Sequence, residues 1–322
     1  ELAAHLKRAK LYAAAEAVHA RAADGAPTEP RVWLEYAKSQ EERGNYEGAQ
    51  SVLRSGRAHC PRDEALAIRS IGVHERRGEL DAARALVGGW PREPIEGAWR
   101  VLLEGALVDA RAGDAEAARA TFQMLLCGAT GYGPVWLEAC RFEQRCERHH
   151  EALRVAEAGL LHLPRYGPLW FLALRLHEAI GAPADRMLAS RALVARGVRS
   201  LCKDCVWKLH FMLAQAEEQA GSLARARDEF EAAAAACAPI LRWKVWVGWA
   251  RAEVMHGEFD AAEAMLVRAS AESPPKVRVT VAIEQARLRE LRGDADGARA
   301  LLYERVDAAE AEADAGAAAL SV

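Results

Sequence analysis

The chain holds 322 residues, 51% of them apolar and 28% charged, with a formal net charge of −3. That composition belongs to a folded chain with ample core material, and it excludes a disordered one. The near balance of 43 Lys plus Arg against 46 Asp plus Glu excludes nucleic-acid binding by bulk positive charge but leaves room for a local basic patch.

Taken in order, the chain reads as one repeated element. Lys7–Ala22 has the pattern of a second helix without its partner, so the array is expected to continue N-terminally in a longer protein. From there a turn position recurs at Lys10, Gly44, Gly78, Gly113, Glu147, Gly181, Gly221, Gly257 and Gly293, in steps of 34, 34, 35, 34, 34, 40, 36 and 36 residues. Eleven residues before the turn stand Trp33, Trp136, Trp170 and Trp246, and three further back stand Trp99, Trp207 and Trp243. Five residues after it stand Ala15, Ala49, Ala83, Ala118, Ala152, Ala226, Ala262 and Ala298. Seventeen after it stand Pro27, Pro61, Pro164 and Pro274. Segments such as Val32–Arg43 and Val135–Cys146 space their apolar residues three and four apart, which is helical spacing. Gly at the break permits a left-handed residue to end the first helix, and the small Ala lets the second helix come close. One such pair cannot bury its apolar face alone, whereas stacked pairs can.

The spacing therefore predicts an all-α, right-handed superhelical solenoid of about eight antiparallel helical pairs. It forms a single array over residues 1–307, whose first unit is only a second helix. Gly88–Pro94 reads as a longer loop, with Trp90 in it as a candidate exposed contact. The 40-residue step over Ala182–Asp204 calls for a lengthened helix or an extra turn. The Ala/Glu-rich segment 308–322 is either a capping helix or a frayed end. No apolar run approaches the ~20 residues of a membrane span.

The combined spacing of Trp, Gly, Ala and Pro resembles the tetratricopeptide repeat, and finer details resemble its relative, the HAT (half-a-tetratricopeptide) repeat. Trp136-x5-Phe142-Glu143 matches the HAT first helix, Trp33-x2-Tyr36 its front, and Trp246 with Glu253 part of it. Ala-Arg of the second helix recurs at Ala83-Arg84, Ala118-Arg119, Ala226-Arg227 and Ala298-Arg299. Departures are Ala67 and Ala282 at the Trp position, and Gln50, Leu153 and Glu263 in place of the Arg. The resemblance covers residues 5–305. It implies a non-catalytic scaffold in an RNA-processing assembly that contacts other proteins and single-stranded RNA. The rival reading is a protein-only scaffold of tetratricopeptide type that grips peptides or helices. The seven scattered cysteines suit a reducing compartment inside the cell, and the resemblance implies nucleus or plastid without choosing between them.

Nothing in the chain has the form of an enzyme. There is no Walker loop, no H-E-x-x-H and no G-x-S-x-G, and no cofactor or small-molecule substrate is expected. His149 and His150, being adjacent, face different directions on a helix. Cys202-x-x-Cys205 has metal- or redox-like spacing but lacks a second ligand pair, with only His162 and His210 as loose helpers, so no metal is expected. Trp33, Trp136, Trp170 and Trp246, in phase with Ala49, Ala83, Ala118, Ala152, Ala226, Ala262 and Ala298, are expected as repeat core.

Charge supplies the candidate binding residues. Six residues before the turn stand Lys38, Arg141, Arg175, Arg251 and Arg287, a possible ladder along the first helices. Intrahelical pairing is the competing explanation, since Glu35, Glu138 and Glu284 lie three residues before Lys38, Arg141 and Arg287. Arg251 alone has no acid at such a spacing. Residues 165–211 hold eight basic side chains against three acidic ones, reversing the balance of the whole chain. Arg175, Arg191, Arg196, Arg199, Lys203, Lys208 and Arg251 are the expected RNA- or partner-binding set. Arg191, Arg196 and Arg199 are expected to share a surface that can be charge-reversed without harm to folding.

Overall fold

The computed structural model describes residues 12–91 and 94–306, and these form helices, turns and loops with no strand among them. The expected turn at Lys10 and the segment 308–322 lie outside the described residues. In chain order the helices are α1 (Tyr12–Gly25), α2 (Pro30–Glu42), α3 (Tyr46–His59), α4 (Glu64–Arg76), α5 (Leu80–Gly88), α6 (Trp99–Arg111), α7 (Ala115–Gly128), α8 (Gly133–Arg145), α9 (His149–His162), α10 (Gly167–Ala179), α11 (Pro183–Ser200), α12 (Lys203–Gln219), α13 (Leu223–Ala236), α14 (Pro239–Met255), α15 (Phe259–Glu272) and α16 (Arg278–Leu291). The last described helix, α17, covers 295–306. The chain divides into two compact units, Glu1–Phe142 and Glu143–Val322.

The turns between the helices of a pair share one construction, except that at Gly181, where Ile180 is extended. The seven glycines at the turn position take φ of 73–86°, and Glu147 takes 58° at the equivalent place. This left-handed residue reverses the chain so that two backbone bonds close the first helix. Gly44 N donates to Glu41 O at 2.9 Å, and Asn45 N donates to Gln40 O at 3.0 Å, the double bond of a Schellman motif. The longer bond recurs as Glu79 N to His74 O, Asp114 N to Asp109 O, Arg148 N to Glu143 O, Ser222 N to Glu217 O and Glu258 N to Glu253 O, all at 2.8–2.9 Å. Asn45 and Asp114 then cap the helix that follows, each accepting from a backbone N–H three residues on.

Within a unit a first helix packs on its own second helix, on the second helix before it and on the next first helix, as two examples show. In the first unit α4 meets α5, α3 and α6, and in the second α12 meets α13, α11 and α14. The repeated Ala is buried in all eight repeats that carry it. Trp33, Trp136, Trp170 and Trp246 are also buried. The Trp33 ring lies over Gly56, where an added Cβ would come within 2.8 Å of it. The prolines do more than end the unit. Trp33 Nε1 donates to Pro27 O at 2.8 Å, and Trp170 Nε1 to Pro164 O at 2.9 Å; Trp136 donates to Thr130 O in the same register. The Trp and Pro positions are thus two halves of one hydrogen bond. Trp246 differs. Its helix starts early, at Pro239, so the carbonyl six residues back is helical, and the buried indole N–H has no partner.

The irregular steps have a simple composition. A 34-residue repeat consists of a 14-residue second helix, four loop residues, a 13-residue first helix and a three-residue turn, as in α3 and α4. In the 40-residue step α11 has 18 residues and α12 has 17, joined by Leu201 and Cys202 alone. Both helices are therefore longer by four residues, about one turn, where a single lengthened element was expected. In the first of the two 36-residue steps only the first helix, α14, is lengthened, to 17 residues. Trp90 proves to be half-buried and packs on the Ala67, Ile71 and Ala83 cluster, so it is not an exposed contact.

Candidate partner-binding surface

The first feature to build is a polar tie that the sequence reading did not assemble. The residue four before the turn presents its side chain inward, as with His74, Glu217 and Glu253, the last two only 1% exposed. A buried carboxylate needs donors, and they come from the second helix of the preceding repeat. Arg227, of the Ala-Arg pair, donates from Nε and Nη2 to Glu253 at 2.8 and 2.6 Å. Arg84 reaches Asp109 at 2.7 Å and Asp114 at 3.0 Å, and the Gln50 amide reaches the His74 ring at 3.1 Å. Burial pushes the Glu253 carboxyl up, but the hydrogen bonds from Arg227 and from Trp249 Nε1 outweigh it and hold the group below the usual carboxylate value. The signal was present as Ala-Arg and as the terminal Glu of the HAT pattern, read separately.

This tie redistributes the expected basic patch. Arg191 makes a forked pair with Glu217 at 2.5 and 2.8 Å, pointing forward to α12. Arg196 points back to Glu157 on α9 at 2.5 Å, with its guanidinium over the Trp170 ring at 5.3 Å. The two therefore pair in opposite directions along the stack. Reversing Arg191 would set a new carboxylate against buried Glu217, so the expectation that such a change spares folding fails. Arg186 is also engaged, donating to the Glu178 carbonyl at 2.7 Å. Arg165, Arg175, Arg199, Lys203 and Lys208 remain exposed and form no ion pair among the described residues. Lys208 lies over the Phe171 ring at 5.3 Å.

The ladder six residues before the turn is exposed at Lys38, Arg141, Arg175, Arg251 and Arg287. Arg141 pairs within its helix, with Glu138 at 2.6 Å. Arg251 does have a partner, one repeat away: Glu284 on α16, at 2.6 Å, which Arg287 also approaches at 3.7 Å. Local spacing could not show this pair because it spans 33 residues.

Around Arg251 the first-helix face opens into a groove. Trp243, Val247, Arg251 and Met255, each four residues apart, form one stripe of α14, opposed by Phe211 and Gln215 on α12, and they line a cavity of about 340 Å³. Gly248 carries no side chain here because the Phe211 ring would lie 2.4 Å from its Cβ. A second cavity of about 240 Å³ continues between α14 and α16, sharing Arg251 and Met255 and adding Glu284, Arg287 and Leu291. Met255 is 76% exposed and Leu291 60%, so an apolar strip runs between the guanidinium groups of Arg251 and Arg287. Lys244 adds a third cation at the rim, over Trp243. Sequence reasoning found Arg251 and Arg287 of this groove, as members of the ladder; the other residues of the α14 stripe were legible as positions 243, 247 and 255 at four-residue steps.

Among the described residues no group of three or more His, Cys, Asp or Glu side chains is placed to hold a metal ion. No described helix is long and apolar enough to cross a membrane.

A family model described as PRP6, TPR-like domain, matches residues 1–314. A TPR-containing protein of Dictyostelium discoideum is 39% identical over 195 residues, which are 61% of this chain but only 15% of that protein. Among solved structures, a tetratricopeptide repeat protein from Parabacteroides merdae is 14% identical, covering 86% of this chain and 98% of that one at a TM-score of 0.41. A chain of the Naa15/Naa10 complex bound to HypK-THB is also 14% identical, with 93% and 56% covered and a TM-score of 0.42.

Proposed function

Since the chain belongs to the PRP6 TPR-like domain family, a splicing-factor family, we propose that it is a non-catalytic helical-repeat scaffold of an RNA-processing assembly in the nucleus or a plastid. It works by gripping a segment of a partner protein in the α12–α14–α16 groove. The observation that carries this reading is the groove itself, where an apolar strip ending in Met255 and Leu291 is flanked by Lys244, Arg251 and Arg287. Apolar anchors between charged rims suit a protein segment. Arg84, Arg111, Arg191, Arg196 and Arg227 are committed to ties between neighbouring helices, which leaves them little freedom to meet a phosphate backbone.

A second reading, direct RNA contact, is favoured by one observation: Arg165, Arg199 and Lys203 are exposed and unpaired around the starts of α10 and α12. The two readings separate by experiment. Co-purification from cells with Met255→Glu is expected to lose a protein partner while helicity by circular dichroism is unchanged, because Met255 is exposed. Retention of every partner by Met255→Glu removes the groove reading. Filter binding of RNA at rising salt tests the second reading, which requires affinity that falls steeply with salt; no affinity at low salt removes it.

A further inference from the structure

Cys202 is the N-cap residue of α12, and no side chain caps the helix there. Three residues on, Cys205 donates its backbone N–H to the Cys202 carbonyl at 3.0 Å. This turn sets the two thiols side by side, near enough that Cys202 raises the Cys205 thiol. Cys202 is exposed and Cys205 half-buried, with its sulfur seated at the start of α10, where a Cβ on Gly167 would lie 3.7 Å from it. Exposed Lys203 and Lys208 flank the pair, and Asp204 lies between. Burial and the neighbouring Cys202 push the Cys205 thiol up, with Lys208 pulling the other way, so exposed Cys202 is the accessible nucleophile of the pair.

The other cysteines lack this combination. Cys140 and Cys237 are buried, and burial pushes the Cys140 thiol up to about 12. Cys127 is exposed, but its nearest cysteine in sequence is the buried Cys140. Only 202 and 205 pair an accessible sulfur with a second one in contact.

We infer that Cys202 and Cys205 form a reversible dithiol–disulfide site that is oxidised by low-molecular-weight disulfides of the glutathione class. The Cys202 thiolate attacks one sulfur of glutathione disulfide. The S–S bond breaks, and one glutathione leaves as thiolate and takes a proton. Cys205 then gives up its proton and attacks the Cys202 sulfur, expelling the second glutathione. Two cysteines are oxidised, and one glutathione disulfide is reduced to two thiols. The new bond clips the two-residue joint between the lengthened helices α11 and α12.

The test incubates the reduced full chain with glutathione disulfide and maps its seven cysteines by peptide mass spectrometry. The expected result is loss of both thiols at 202 and 205 as an internal disulfide, while Cys127 retains a glutathione adduct. Cys205→Ser is expected to hold a lasting adduct on Cys202, and Cys202→Ser to leave Cys205 unreacted, with circular dichroism verifying that both variants fold. Two results overturn the inference. One is a lasting glutathione adduct on Cys202 in the unmodified chain. The other is an internal disulfide that forms only after denaturation.

Discussion

The repeats of α2 to α7 and those of α11 to α16 solve one problem with different lengths of helix. In the first set the tie between neighbouring repeats runs from the residue six after one turn to the residue four before the next: Gln50 to His74, Arg84 to Asp109. In the 40-residue repeat that starting position is Met187, and the tie begins at Arg191, four residues later, to reach Glu217. A four-residue insertion is about one helical turn, so it carries the arginine round to the same face. The lengthening of α12 and α14 comes in the same increment, offset by two residues lost from each loop. Insertions that complete a turn preserve which side chains meet. An insertion of two or three residues in a helix would rotate the tie away.

The comparison can be broken most forcefully at the tryptophans. Trp170→Ala is expected to cost about 3–5 kcal/mol in chemical denaturation, the range for truncating a large buried aromatic. Phenylalanine in the same places sharpens the test. Trp170→Phe forfeits the bond to Pro164, about 1 kcal/mol plus an orphaned carbonyl. Trp246→Phe forfeits none and should cost less. An equal loss at both positions would remove the indole bond from the account.

Next come the ties. Arg227→Ala leaves Glu253 buried with only the Trp249 donor, and about 2 kcal/mol is expected, below the ~3–5 of a fully buried pair because Arg227 is itself partly exposed. Arg84→Ala, whose partners Asp109 and Asp114 are both more exposed than Glu253, should cost less than Arg227→Ala. The same pair sets a pH dependence. Glu253 titrates lower in the folded chain than in the unfolded one, so its contribution is complete above the ordinary carboxylate value of 4.5 and is lost as pH falls through the depressed folded value. Melting midpoints followed into acid should fall less steeply in Arg227→Ala than in the unaltered chain.

The smallest effect lies at the turns. Glu147 holds the left-handed conformation that glycine holds in its counterparts, so Glu147→Gly is expected to stabilise by about 1 kcal/mol and Gly44→Ala to destabilise by a similar amount. A destabilised Glu147→Gly chain would show that the glutamate side chain has a role the turn does not explain.

Much of the fold was legible because the turn residue announces itself. Seven glycines and one glutamate, found by spacing alone, are the eight positive-φ residues among the described positions. The long helices were legible only as an odd step, since spacing counts residues without saying whether helix or loop absorbs them. The candidate surface was less legible, for a different reason. Arg191, Arg196 and Arg251 find their acids 26, 39 and 33 residues away. A search confined to neighbours three and four apart counts such cations as free. The groove stripe of Trp243, Val247 and Met255 was hidden because the repeat register accounts for Trp243 without any surface role.

In several repeats the residue four before the turn has two jobs at once. Its carbonyl closes the first helix through the long bond of the turn, and at Asp109, Glu217 and Glu253 its carboxylate holds the arginine of the previous repeat. Unwinding a turn therefore releases the neighbour behind it, and losing that neighbour loosens the turn. Within each compact unit this couples adjacent repeats in the sense of a one-dimensional chain of linked spins, in which a defect is cheapest at an end. Amide hydrogens of Asp114, Ser222 and Glu258 should consequently exchange with solvent together with the core of their unit, although they sit in surface turns that would ordinarily open first.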